Sequence, residues 1–248
     1  MKNNHMTKNI RITAVIASVA IVGAIAGVYT LSGHKAPREG NVAPVEGAVS
    51  QTELDKATAS LKSALSVADR LSGITGTGFD FQAQPTYGHY GNFGLVKYVN
   101  QVKGVGLVDE MAITFHGETD NDNAEVDSKT GQVISFHRSV DYANPGKEKT
   151  QAEIETAMRT FLNEVYPDFK QVEPTLTFSP GMKGVRLNNG NYFFDWEDND
   201  YQKQLPEGVE AERAPFIQVG ITSSGYIFSY NNTIDIYHDA LKEFNLTQ

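Results

Sequence analysis

The sequence predicts an α+β protein in which an N-terminal transmembrane helix precedes two similar lobes, each a helix packed on an antiparallel sheet. Three observations lead to this fold class. One long uncharged apolar run lies near the N-terminus. After it, apolar residues recur twice at helical spacing, each time directly behind a capping motif. Both helical stretches are followed by segments that alternate apolar and polar residues and contain turn glycines, as antiparallel strands do.

The apolar run is the predicted membrane anchor. Residues 12–32 are ITAVIASVAIVGAIAGVYTLS and contain no charged side chain. About 20 helical residues, at a rise of about 1.5 Å each, cross a hydrocarbon core of roughly 30 Å. Residues 1–11 contain Lys and Arg but no Asp or Glu, and such basic flanks stay in the cytoplasm. We therefore expect a cytoplasmic tail at residues 1–11, a transmembrane anchor at residues 12–32, and an extracytoplasmic remainder.

A cleaved signal peptide is the alternative for the same run. Ala24, Ile25 and Ala26 fit the small-x-small pattern of a cleavage site, and cleavage there would give a secreted protein. Both alternatives export the rest of the chain. Residues 33–49 are rich in Pro, Gly and small residues without apolar periodicity, which is typical of a linker.

The composition excludes several classes of function. The 248 residues carry a formal net charge of -9 and no basic cluster outside the N-terminus, so nucleic acid is not an expected partner. The chain has no cysteine, which excludes disulfides, thiolate nucleophiles and Cys-ligated metals. A lipid-attachment cysteine is excluded for the same reason.

The first lobe is predicted at residues 50–140. Ser50 and Glu53 form a capping box, and apolar residues at helical spacing follow until Gly73. Strands are expected at residues 93–102, 109–116, 124–127 and 132–138, with SKTG as the turn between the last two.

The second lobe is predicted at residues 150–233. Thr150 and Glu153 form a second capping box, and Pro167 ends the helix that follows. Strands of this lobe are expected at residues 172–178, 185–187, 192–196, 216–222 and 226–230. After the lobe comes the C-terminal segment, residues 234–248, which begins with a short predicted helix.

Matching hairpins indicate an internal duplication. AEVDSKTGQVISF at residues 124–136 and QVGITSSGYIFSY at residues 218–230 share apolar positions, a turn glycine and an aromatic end. The helix-opening threonines, Thr52 and Thr150, are offset by nearly the same number of residues as the two turn glycines. This common order of helix, strands and hairpin predicts two copies of one α+β unit.

The first hairpin resembles the PepSY domain family. The matching residues, 126–136, are VDSKTGQVISF, whereas residues 219–230 lack the acidic residue before the turn. YFFDW at residues 192–196, followed later by VGI, is similar to tandem variants in exported proteins of Gram-positive bacteria. The resemblance implies an exported, non-catalytic module that binds or restrains a partner such as a peptidase or cell-wall hydrolase. It brings no catalytic residue.

Motifs for catalysis and cofactor binding are missing from the sequence. None of the six histidines has a metal-ligand spacing; His116 and His137, on neighbouring predicted strands, are either a zinc pair or ordinary strand residues. The sequence contains no nucleophile elbow, phosphate-binding loop or dinucleotide fingerprint. We therefore expect no enzyme activity, no catalytic residue and no cofactor.

Two acidic segments are the candidate ion sites. ETDNDN at residues 118–123 and DWEDND at residues 195–200 place carboxylates and amides at alternating positions. Ca²⁺ takes about six to eight oxygen ligands, which such segments can supply. Solvated acidic turns are one alternative, and buried acid–base carboxylates of a hydrolase are another. The candidate ligands are Asp120, Asp122, Asp195, Glu197, Asp198 and Asp200.

The sequence as a whole favours a membrane-anchored extracytoplasmic binding or regulatory protein that restrains or positions an exported peptidase or hydrolase. Exposed sheet edges are the expected binding surface. A structural component of a cell-surface assembly and a glycan or cell-wall hydrolase are the alternatives. Trp196 and its aromatic neighbours either point into the core or line a peptide or glycan groove.

Overall fold

The computed structural model describes residues 49–76, 78–89, 95–99, 102–106, 109–141, 146–179, 191–211 and 213–246. They belong to one compact α+β unit. The helices are α1 Gln51–Ser72, α2 Gln151–Val165, α3 Phe169–Val172, α4 Tyr201–Gln204 and α5 Ile234–Leu246, with a 3₁₀ turn at Glu173–Thr175. The strands are β1 Phe79–His89, β2 Leu95–Val99, β3 Val102–Gly106, β4 Asp109–Gly117, β5 Asn123–Asp127, β6 Val133–His137, β7 Thr177–Ser179, β8 Asn191–Glu197, β9 Val209–Ala211, β10 Phe216–Thr222 and β11 Ile227–Asn232.

The two predicted units share one sheet. Eight antiparallel strands lie in the order β1-β4-β5-β6-β11-β10-β8-β7. The first half supplies β1, β4, β5 and β6, in chain order from one edge to the middle. The second half supplies β7, β8, β10 and β11 in the same way from the other edge, so the halves meet where β6 pairs with β11. In that pairing Phe136 lies opposite Tyr230. A second, three-stranded sheet has the order β3-β2-β9.

Both long helices begin as the capping boxes predict. The side chain of Ser50 accepts a hydrogen bond from the Glu53 backbone N–H, and Thr150 caps Glu153 in the same way. Helix α1 ends before Gly73, which has a positive φ of 70°. Both helices pack on one face of the large sheet through their apolar sides. Their buried residues are Ala57, Leu61, Ala64, Leu65 and Ala68 in α1 and Ile154, Met158, Phe161 and Leu162 in α2.

The two similar hairpins turn differently, and the second turn has no acidic residue. In the first turn Asp127 accepts hydrogen bonds from the backbone and hydroxyl of Thr130, at 2.5 and 2.9 Å. The second turn is one residue shorter, and the hydroxyl of Thr222 accepts a hydrogen bond from the backbone N–H of Tyr226 at 3.1 Å. A threonine therefore takes the stabilising position that the aspartate holds in the first turn.

Several elements differ from the prediction. Residues 172–178 were expected to be a strand, but the chain forms α3 and a 3₁₀ turn there, and only β7 follows. Pro174 at the start of that turn has no backbone N–H for a sheet. Strands β1 and β3 and the short elements α4 and β9 were not predicted. The predicted strand at 185–187 lies outside the described residues.

The predicted membrane anchor, residues 12–32, also lies outside the described residues. Within the part of the chain that the structure describes, no helix combines the length and apolarity needed to cross a bilayer.

The second face of the large sheet is partly covered. A separate core cluster joins sheet residues Ala112 and Ile134 to helix α5 and to the segment that connects β8 with β10. The remaining members of this cluster are Tyr201, Val209, Ile236, Tyr237 and Leu241. This face carries the candidate functional site.

Candidate functional site

A row of polar side chains crosses the second face of the large sheet. The register places Glu125 opposite Thr114 on one side and Ser135 on the other. It continues from Ser135 through Asn231 and Gln218 to Asp195. Apart from Ile134, which lies at a bulge, the flanking apolar residues on these strands pack in the core cluster of helices α1 and α2, so the polar residues point to the opposite face. We call Thr114, Glu125, Ser135, Asn231, Gln218 and Asp195 the polar row; all six are half-buried.

Hydrogen bonds join some members of the polar row. The amide Nε2 of Gln218 donates to Asp195 Oδ1 at 2.7 Å, and the Ser135 hydroxyl donates to Glu125 Oε2 at 3.3 Å. Asn231, between them, has a buried side-chain oxygen with no hydrogen-bond partner. The row therefore contains an acceptor whose desolvation is not compensated within the described residues.

Burial shifts the titration of both carboxyl groups in the row. It raises the pKa of Glu125 above its ordinary value, and the hydrogen bond from Ser135 opposes this only in part. Burial likewise raises the pKa of Asp195, against the opposing effects of Gln218 and the Arg213 charge. Both carboxyl groups thus lie where water has limited access.

A second row on the same face adds imidazole and aromatic rings. The register aligns His116, Asn123 and His137, and then Ser229, Gly220 and Phe193. The Phe228 ring packs edge-on against Phe193, with centroids 5.5 Å apart, and against His137 at 6.1 Å. Asn123 separates His116 from His137, so the two histidines considered as a zinc pair lie on strands that are not neighbours.

The first acidic turn is organised around a buried carboxylate. Asp122 is 1% exposed, and its Oδ1 accepts hydrogen bonds from the Ser139 backbone and hydroxyl at 2.6 and 2.7 Å. Asp120 is exposed. The turn therefore joins the end of β4 to the residues that follow β6.

The second acidic segment occupies the equivalent position after β8. Asp198 is buried and contacts His238 of α5, with Oδ2 and Nε2 3.1 Å apart. The Tyr201 ring packs edge-on against the same imidazole. Asp195 and Glu197 are strand residues of β8, while exposed Asp200 pairs with Lys203.

The six calcium candidates are spread over the molecule. Strands β4 and β8 run in opposite directions within the sheet, so the two acidic segments lie at its opposite ends. Among the described residues, no group of three or more His, Asp or Glu side chains forms a metal-ligand cluster. The hydrolase alternative expected buried carboxylates, and Asp122 and Asp198 are buried, but each already has the structural partners described above.

The aromatic residues around Trp196 belong mostly to the core. Trp196 and Phe194 are fully buried against the helices, which confirms the core interpretation for both. Phe193, by contrast, lies half-buried on the second face beside the polar row. No sequence pattern predicted the polar row, since each member alone is an ordinary polar position on an alternating strand.

Comparison with known proteins identifies no family. No protein-family profile matches the chain, and no curated protein matches it. A structural search aligns it with the Bacillus megaterium YpeB C-terminal domain at 11% sequence identity and a TM-score of 0.32. The alignment covers 68% of this chain and 61% of that chain. At this score the alignment carries no argument about family or function.

Proposed function

We propose that this protein is a membrane-anchored, extracytoplasmic binding protein that restrains or positions an exported peptidase or cell-wall hydrolase. The observation that carries the proposal is the single eight-stranded sheet, with β1 and β7 as its edge strands. An edge strand offers backbone donors and acceptors to an added strand of a partner. The anchoring part of the proposal rests on residues 12–32 and their basic flank.

The PepSY-like assignment is supported by the sequence of the first hairpin and by the repeated order of elements. Each half has one capped helix followed by four strands of the large sheet, and a glycine turn joins the last two of these strands. At the second turn Thr222 stands where the first turn has Asp127. Both side chains accept a hydrogen bond from a backbone N–H of their own turn. Loss of the acidic residue is therefore compatible with two copies of the same unit.

The spacing of the carboxyl groups supports binding over catalysis. Glu125 and Asp195 lie four strands apart, which corresponds to about 19 Å at about 4.8 Å per strand. Glycosidase carboxyl pairs lie roughly 5 to 10 Å apart. Asp122 and Asp198, the buried carboxylates of the acidic segments, lie at opposite ends of the sheet. Neither pair has the geometry of a hydrolase that uses two carboxylates.

Capture of partners by the full-length chain in solubilised source membranes tests the proposal. We expect the chain to retain a peptidase or hydrolase that mass spectrometry identifies. In the variant Thr177→Lys, which adds a charge to edge strand β7, capture should fall. Thr175→Lys makes the same change at an exposed residue outside the strand and should leave capture intact.

Two results would contradict the proposal. A folded, monomeric chain that retains no protein would argue against a stable protein partner. Self-association of the chain at micromolar concentration, without another partner, would favour the surface-assembly alternative.

A further inference from the structure

The second sheet ends in a short strand whose outer edge is held by a side chain. Strand β9, Val209–Ala211, is the last strand in the order β3-β2-β9, so within the described residues it has a neighbouring strand on one side only. On the other side, the amide Nε2 of Gln202 donates to the Val209 backbone oxygen at 3.3 Å. The Ala211 backbone N–H donates to Gln202 Oε1 at 2.9 Å. One side chain thus uses both its donor and its acceptor on the outer edge of β9.

The Gln202 amide lies where the backbone of an added strand would lie. A glutamine side chain ends in an amide, as a peptide group does. It bonds to the C=O of one strand residue and the N–H of the next but one, which are the groups that a neighbouring strand would use. Tyr201, the preceding residue of α4, is buried in the separate core cluster, whereas Gln202 is exposed. The Gln202 side chain can therefore rotate away from β9 while helix α4 stays in place, at the cost of two hydrogen bonds.

We propose that the outer edge of β9 is a docking site for an extended, positively charged segment of a partner protein. Gln202 closes this edge until the segment displaces its amide. An extended segment binds an edge strand through backbone hydrogen bonds, which replace those of Gln202. The edges in the proposed function, β1 and β7, belong to the large sheet. Docking at β9 is therefore independent of them.

The charges around β9 favour a basic segment. Glu210 in the strand and Glu207 just before it are both exposed. The positive charge of Lys203 is paired with Asp200, and the guanidinium of Arg213, which follows β9, lies over the Phe216 ring. A second copy of this chain, with a net charge of -9, would be repelled at such an edge, whereas lysine or arginine side chains would be attracted.

Fluorescence anisotropy of labelled heptapeptides with the full-length chain in detergent micelles tests the proposal. KTVKVTK is the basic probe that can form a strand, and ETVEVTE has the opposite charge. KTPKPTK keeps the three lysines but loses two backbone N–H donors to proline. We expect the chain to bind KTVKVTK, to bind KTPKPTK at least about fivefold more weakly, and not to bind ETVEVTE.

Variants show whether the peptide binds at β9. Gln202→Ala should tighten the binding of KTVKVTK at least about fivefold, because the peptide no longer competes with the side-chain amide. Gln204→Ala is the matched control, since Gln204 is another exposed residue of α4 and both hydrogen bonds to β9 come from Gln202. It should leave the affinity unchanged. Thr177→Lys should also leave it unchanged, because β7 belongs to the other sheet.

Hydrogen exchange at the Ala211 amide, followed by NMR, reports on the edge directly. This amide is bonded to Gln202 in the wild type, so it should exchange faster in Gln202→Ala. Addition of KTVKVTK should restore its protection in that variant. Thermal melting verifies that each variant folds.

Three results would overturn the proposal. The first is an unchanged affinity for KTVKVTK in Gln202→Ala. The second is equal affinity for KTVKVTK and KTPKPTK, which would show attraction by charge alone. The third is self-association of Gln202→Ala without peptide, which would assign the edge to a second copy. A chain that binds KTVKVTK at β9 but retains no protein from source membranes would uphold the docking site while contradicting the proposed hydrolase partner.

Discussion

The guanidinium of Arg138 forms an ion pair with the carboxylate of Asp69, with Nη1 and Oδ1 2.5 Å apart. The Arg138 side chain is 1% exposed, although it carries a charge. Its Nη2 donates a hydrogen bond to the backbone oxygen of Ile227 at 2.7 Å, and the Tyr226 ring lies 4.7 Å from the guanidinium carbon. The Arg138 side chain, in the residue after β6, thus contacts both helix α1 and strand β11.

Replacement of Arg138 by Met should therefore destabilise the fold strongly. The substitution leaves the partly buried Asp69 carboxylate without its cation and the Ile227 backbone oxygen without its donor. Removal of one partner of a buried ion pair typically costs about 3 to 5 kcal/mol. Urea unfolding at neutral pH would measure the free energy of unfolding. Arg70→Met is the control, because Arg70 of α1 pairs with Glu164 of α2 but both side chains are exposed. Its loss should cost less than about 1 kcal/mol. Equal effects would show that burial of the Arg138 pair is unimportant.

The raised pKa of Glu125 predicts a specific dependence of stability on pH. Its native pKa lies above the unfolded value of about 4.3, so between the two values the native state binds more protons. The free energy of unfolding must therefore fall as pH rises through this window, and the penalty is fully present above the native pKa. Glu125→Gln removes the penalty and should stabilise the protein near neutral pH by up to about 1 kcal/mol.

Melting temperatures at about pH 4 and about pH 8 would test this dependence. Stabilisation by Glu125→Gln should appear at the higher pH and disappear at the lower one. Glu207→Gln is the control at an exposed turn and should change neither value. A variant that is destabilised at the higher pH would mean that the charged carboxylate is favourably bound in the native state. Burial raises the pKa of Asp195 too, so Asp195→Asn should act in the same direction.

The two turn glycines provide a test of the repeat. Gly131 and Gly225 have φ values of 69° and 91°, which an L side chain adopts at a cost of about 1 to 2 kcal/mol. Alanine at either position should lower the free energy of unfolding by at least about this amount, because the added Cβ would also meet the Lys56 side chain at Gly131 and the Lys149 side chain at Gly225. Gly73→Ala is the reference, because Gly73 has a φ of 70° and nothing within 4 Å of an added Cβ. If alanine left the free energy of unfolding unchanged in one hairpin, the backbone of that turn would have adopted another conformation.

Local signals predicted the elements that formed as expected. The capping boxes at Ser50 and Thr150 and the turn glycines act within a few residues, so the sequence alone shows where the helices and hairpins begin or end. Strand β1 was missed because Pro85 and Gly88 interrupt it, and both are typical of loops. At the edge of a sheet such residues are tolerated, since one side of the strand has no ladder to complete.

The candidate site depends on pairing between strands that are distant in the sequence. No local sequence pattern predicts which of these strands become neighbours. Ser135 and Asn231 become neighbours only because β6 pairs with β11, a strand far away in the sequence. A shift of that register by one residue would turn Asn231 towards the helices and Tyr230 towards the second face. The aromatic contact of Tyr230 with Phe161 of α2 opposes such a shift. The hydrophobic core on one face therefore aligns the polar row on the other.

The buried carboxylate of Asp122 gives a test that separates a structural turn from a calcium site. Asp122→Ala removes the acceptor of two hydrogen bonds from Ser139 and should cost about 1 to 3 kcal/mol, with or without calcium. Asp120→Ala, at an exposed residue of the same turn, should be nearly neutral. Thermal melting in calcium and in chelator would measure both variants. A calcium-dependent rise in the melting temperature of the wild type that is lost in Asp120→Ala would instead support the calcium prediction. Without such a rise, Asp122 acts by fixing the end of β4 to the residues after β6, which holds His116 and Thr114 in register with the rest of the second face.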